Sequence, residues 1–198
     1  MRRFIAVLAT IAMLLPTLAA AQVDQPATLL TAERQIAAAV LPLPEEFRAS
    51  ATVMGYRGRS LEVLRTGDGP MICLADDPWE ARFHVACYQK DLEPFMARGR
   101  ALRAGGMDRA TSDSVRNAEV ASGALPMPRS AALWSVSAAA DSMDWATNTP
   151  RGGRHLYVVY LPGATAESTG LPTTPAPNAP WLMFPGTPRA HIMFVPTM

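Results

Sequence analysis

Cys73 and Cys87 are the only cysteines in the chain, and each sits inside a short apolar stretch. Residues 71–75 and 82–88 both read as strands, and the turn-forming Asp76, Asp77 and Pro78 lie between them. If the two strands pair antiparallel, their sulfurs face each other across the ladder. A bond closing a loop of about 15 residues stabilises a fold by roughly 3 kcal/mol in the chain-entropy description. A redox-active or metal-bound thiol pair is the competing reading, but the spacing is not C-x-x-C and no further cysteine accompanies it.

The compartment bears on that choice. Arg2 and Arg3, an apolar run over residues 4–15, and Ala19, Ala20 and Ala21 before Gln22 form the three parts of an export signal. Cleavage after Ala21 is the expectation. A membrane anchor is disfavoured because Pro16 interrupts a run shorter than the ~20 residues that span a bilayer. The chain is then expected in the periplasm or outside the cell, where an even cysteine count means a disulfide. Signal removal takes the formal charge of the 198-residue chain from +1 to −1 by loss of Arg2 and Arg3. The remaining charges form no block of one sign, which argues against nucleic acid or an anionic membrane surface as the main partner.

Residues 26–40 carry Leu29, Leu30, Ile36, Ala37 and Val40 at near-helical spacing, with Asp24 as the expected cap and the prolines at 42 and 44 as the stop. From residue 51 the period becomes two. Residues 51–56 and 60–66, joined through Gly58, predict a hairpin, and Gly67 to Pro70 lead into the cysteine strands, so the first four strands predict an antiparallel meander. A helix follows with Asp91 as its expected cap, Pro94 in its first turn and Arg98, Arg100 and Arg103 toward its end. A second helix is expected from Asp108 to Ala121. Further strands are expected over 131–137, 154–161, 181–184 and 190–195, with two aperiodic stretches, 138–153 and the proline-rich 163–180, between them. The predicted class is α+β: one domain over residues 22–198, with a mainly antiparallel sheet of about seven or eight short strands, an N-terminal helix and a central helical pair.

Two blocks of the chain, residues 71–100 around Cys73 and Cys87 and residues 179–193 around Trp181 and His191, resemble blocks found in uncharacterised exported bacterial proteins. The resemblance implies a single exported domain. It implies no activity, ligand or catalytic residue.

Histidine is the one constellation with a specific chemistry. His84, His155 and His191 each stand at or near the start of an apolar strand. Were those starts at a common end, three imidazoles and an open fourth position would make a catalytic zinc site, with Asp76 or Asp77 as a further ligand or acceptor. Against this, no H-E-x-x-H or H-x-H pair pre-forms a site, and local hydrogen bonding of each ring is the plainer expectation. Copper held by Met183, Met193 and His191 is a weaker variant, since methionine in apolar strands ordinarily fills core. No serine lies in a G-x-S-x-G elbow, and Gly67 and Gly69 precede a strand, with Pro70 removing a donor, so neither acyl transfer nor nucleotide binding is indicated. Two roles follow. The favoured one is an exported, non-catalytic module without a cofactor that binds a small ligand or an envelope protein, with residues 163–180 as the contact surface. The alternative is a metal-dependent hydrolase built on His84, His155 and His191.

Overall fold

The computed structural model describes residues 29–176 and 178–196, so the expected export signal and the Asp24 cap lie outside the described residues. Helix α1 (Ala32–Ala39) begins where the Thr31 side chain accepts from the Arg34 N–H, later than the sequence suggests. A second short helix, α2 (Glu45–Arg48), follows Pro44.

Strands β1 (Thr52–Arg57), β2 (Ser60–Arg65), β3 (Met71–Leu74) and β4 (Arg82–Gln89) come next. A 3-10 turn (Lys90–Leu92) leads into helix α3 (Glu93–Ala104), which is followed by helix α4 (Arg109–Ala121) with Asp108 as its cap. Asp91 caps neither element; instead its own N–H is bonded by the Gln89 side chain. The chain then forms β5 (Ala131–Ala139), a small ribbon of β6 (Met143–Asp144) and β7 (Thr149–Pro150), and β8 (Arg154–Tyr160). Helix α5 (Ala166–Thr169), β9 (Trp181–Met183) and β10 (His191–Phe194) complete it. Eight strands make one sheet in the order β2-β1-β3-β4-β5-β8-β10-β9. The class is α+β, as predicted, with a mainly antiparallel sheet and the central helical pair α3 and α4.

One connection departs from the expected meander. β3 pairs with β1 in parallel, and β2 stands at the sheet edge. Composition accounts for the choice: β1 contributes the fully buried Val53, whereas β2 carries Glu62, Arg65 and a Val63 that is 51% exposed. The apolar strand is enclosed and the charged one is left outside, where charge blunts an open edge. To cross the start of β1, residues 66–70 press against it. Gly67 exchanges hydrogen bonds with Thr52 Oγ1, and a Cβ at Gly67 would lie 2.1 Å from the Ser50 carbonyl oxygen, a backbone contact that only glycine avoids.

Strand alternation divides the side chains between two layers. Val53, Cys73, Val85, Cys87 and Val136 face α1 and the segment after it. Tyr88 and Leu133, with Ile72 and Leu74, face Phe95 and the helical pair. Each of the fully buried valines contributes about 1.5–3 kcal/mol relative to exposure. Cys73 and Cys87 are register partners on β3 and β4 and are joined by a disulfide, so the two strands are stapled at the centre of the α1-side core. Gln35 ties α1 to the sheet beyond the end of β3: its Oε1 accepts from the Tyr56 N–H at 2.7 Å, and its Nε2 donates to the Tyr56 carbonyl.

Candidate functional site

The pairing register separates the three histidines. His84 and Arg154 both align with Ser137 on β5, whereas His155 aligns with Val136, so His155 points to the α1 side and His84 to the helical-pair side. His191 shares the face of His84 but not its end. β10 runs antiparallel to β8, and His191 pairs with Tyr160, six residues along β8 from Arg154. At ~3.3 Å per residue that is roughly 20 Å along the sheet. The strand starts are therefore not at a common end, and the tetrahedral zinc arrangement is not assembled. Among the described residues no group of three or more histidine, cysteine, aspartate or glutamate side chains is placed to hold a metal ion.

Among the described residues only His191 makes a ring hydrogen bond, and the buried Nδ1 of His155 has no hydrogen-bond partner. His191 Nδ1 lies 2.8 Å from the Arg189 carbonyl, and its ring sits near those of Tyr160 and Phe184. Met183 is its register partner on β9, which places Met183, His191 and Met193 on one face, with the imidazole already held by its own loop. His155 lines a cavity of about 420 Å³ beside Arg48 and Asn148, on the far side of the sheet from His84. The proline-rich 163–180 stretch is organised by its own bonds: the Thr165 and Ser168 side chains cap α5 reciprocally, and the Leu182 N–H donates to the Pro172 carbonyl.

His84 opens instead onto a cleft of about 510 Å³ between the β3-β4 loop and the C-terminal end of α3. Two kinds of charge line it. Asp76, Asp77 and Glu80 come from the loop; Arg82 comes from β4, Arg100 and Arg103 from α3, and Arg109 from the first turn of α4. Arg100 is committed: it donates to the Tyr88 hydroxyl at 2.9 Å and pairs with Glu93, while Tyr88 itself donates to Glu93. The other three behave differently. Among the described residues, the side chains of Arg82, Arg103 and Arg109 make no hydrogen bond, ion pair or ring contact.

The electrostatics follow from that crowding. Burial, with Arg116 and Arg109 nearby, holds the Arg103 guanidinium below its ordinary range, yet it stays a full cation at neutral pH. The pKa of His84 is also lowered, by partial desolvation and then by Arg109 and Arg82. Asp76 is pushed up to about 6 by burial, against the His84 N–H that donates to its Oδ1 at 2.7 Å, with Asp77 and Glu80 adding to the rise. A cleft of this size suits a small molecule, and three arginines without counter-ions favour an anionic group there. In the sequence Arg103 stands out only as a cation near a helix end, and Arg82 and Arg109 carry no site signal. They lie on three elements, and only Arg100 and Arg103, one helical turn apart, share a local signal.

No protein-family model, no curated protein and no solved structure matches the chain. Among the described residues no helix is long and apolar enough to cross a membrane.

Proposed function

We propose that the chain is an exported, non-catalytic binding protein whose ligand carries an anionic group held among Arg82, Arg103 and Arg109. Three arginines that line one cleft without a carboxylate partner carry this reading. All three side chains are exposed and come from separate elements around the cleft, and an anion entering between them accepts charge-assisted hydrogen bonds. Export is supported by the residue pattern over 1–21 and by the Cys73–Cys87 disulfide, a bond that persists in oxidising compartments. The blocks around Cys73 and His191 support membership of a family of exported bacterial proteins. The cleft is a better-defined contact site than residues 163–180, because three cationic side chains from separate elements line it.

Calorimetric titration with inorganic phosphate tests the reading. Arg103→Gln and Arg109→Gln should each weaken binding by about 10-fold or more, since a charge-assisted hydrogen bond contributes ~1.5–3 kcal/mol. Arg151→Gln, on an exposed turn beyond the cleft, should leave binding unchanged. Phosphate affinity that is equal in all three variants and the unaltered protein would remove the cleft from consideration.

A further inference from the structure

We infer that the ligand is an anionic amphiphile, with its charged head among Arg82, Arg103 and Arg109 and its apolar chain in a second cavity on the α1 side of the same sheet rim. This rests on the anion reading of the cleft and goes beyond it by naming the rest of the molecule. The second cavity has a volume of about 250 Å³. Leu29 and Leu30 ahead of α1, Phe83 of β4, Met143 of β6 and Trp145 give it an apolar lining. The Arg34 guanidinium stacks over the Trp145 ring, 5.5 Å from its centroid, and fixes that wall from outside.

What joins the two cavities is the start of β4. Phe83 points to the α1 side, while its neighbours Arg82 and His84 point to the helical-pair side. Asp76, Glu80 and Arg82 line both cavities, because the β3-β4 loop passes over the rim that separates them. A molecule that crosses this rim passes Asp76, Glu80 and Arg82 and meets unpaired arginines on one side and, on the other, a chamber whose remaining lining apart from Gln35 is apolar. An inorganic anion would use only the first half. An uncharged apolar molecule would use only the second, and its passage would bring no partner to the arginines. The combination that satisfies both halves is a single anionic head on a short hydrocarbon chain, and burial of that chain supplies the larger, non-directional part of the attraction.

Octyl phosphate, inorganic phosphate and octyltrimethylammonium, titrated calorimetrically below their aggregation concentrations into the purified protein, test the inference. Octyl phosphate should bind at least 10-fold more tightly than inorganic phosphate, and octyltrimethylammonium should bind at least 10-fold more weakly than octyl phosphate. Ala140 is exposed at the mouth of the apolar cavity, so Ala140→Phe narrows that cavity without disturbing the core. It should bring octyl phosphate down to the affinity of inorganic phosphate and leave the latter unchanged; Leu30→Gln should act the same way by a different route. Arg103→Gln should weaken both phosphates. Equal affinities for octyl and inorganic phosphate in the unaltered protein would overturn the amphiphile and leave the anion site standing, as would cavity variants that leave the octyl preference intact. Equal binding of the octyl cation and the octyl anion would reduce the attraction to the hydrocarbon alone and overturn the inference. Absence of binding by either phosphate would overturn the anion site itself.

Discussion

Gly99→Ala should destabilise this protein, although alanine in place of glycine ordinarily stabilises a helix by about 1 kcal/mol. Gly99 is buried within α3, and a Cβ built there would lie 2.8 Å from Arg116 Nη1 and 2.9 Å from Cζ. The far end of an arginine can usually swing away, but this one is pinned. Arg116 is 8% exposed; it donates to the Phe95 carbonyl at 3.2 Å and to Asp113, and its Cζ lies 4.1 Å from the centroid of the Phe95 ring. Asp113 is fixed in turn by Arg189 at 2.6 Å. Displacing the guanidinium removes a buried hydrogen bond from a charged donor, ~1.5–3 kcal/mol, and weakens a cation-π contact of ~1 kcal/mol. Set against the gain in helix propensity, the net loss is about 1 to 3 kcal/mol. Urea unfolding should show that loss as a lower midpoint at constant slope. In an Arg116→Met background the obstruction is gone, and Gly99→Ala should become neutral or stabilising, a coupling that a double-mutant cycle isolates. Stabilisation by Gly99→Ala in the otherwise unaltered protein would refute the close packing of α3 on Arg116.

The disulfide and the titrating groups of the cleft give two further tests. Replacing both Cys73 and Cys87 by alanine, with a separation of 14 residues, should cost about 3 kcal/mol in urea unfolding; a loss below about 1 kcal/mol would mean that β3 and β4 are held by packing alone. Anion affinity should rise as pH falls from 7 to 5. Asp76 has a pKa of about 6, so acidification removes a negative charge beside Arg82, Arg103 and Arg109. One linked proton allows at most about 10-fold per pH unit. Sulfate, whose charge is constant over this range, should bind several-fold more tightly at pH 5, and Asp76→Asn should flatten most of the slope; an affinity independent of pH in the unaltered protein would show that Asp76 does not feel the anion.

Much of the architecture was legible in the residues because each local signal agreed with the tertiary outcome. All eight sheet strands fall where apolar alternation or β-branched runs place them, and α4 begins at the Asp108 cap read from sequence. The exceptions have identifiable causes. The β6-β7 ribbon is too short, at two residues a strand, to show a period. Helix α1 starts at Ala32, where the Thr31 side chain caps it, and Leu29 and Leu30 ahead of the cap line a cavity instead of extending the helical face. The hairpin of β1 and β2 was readable, but which of the two would accept β3 was not, since that depends on which strand has the more apolar surface to enclose.

By itself, the sequence determined the sheet strands, the helical pair and the half-cystine partners, all of which are encoded over a few neighbouring residues. Only the tertiary structure decided what meets at a site. His84, His155 and His191 look alike in sequence, each at a strand start, yet a change of one residue in register parity reverses the face of His155, and an antiparallel partner sends His191 to the opposite end. Arg82, Arg103 and Arg109 have little in common along the chain. They line one cleft because α3 and α4 pack across the sheet beside the start of β4, and that convergence depends on long-range pairing that no local pattern encodes.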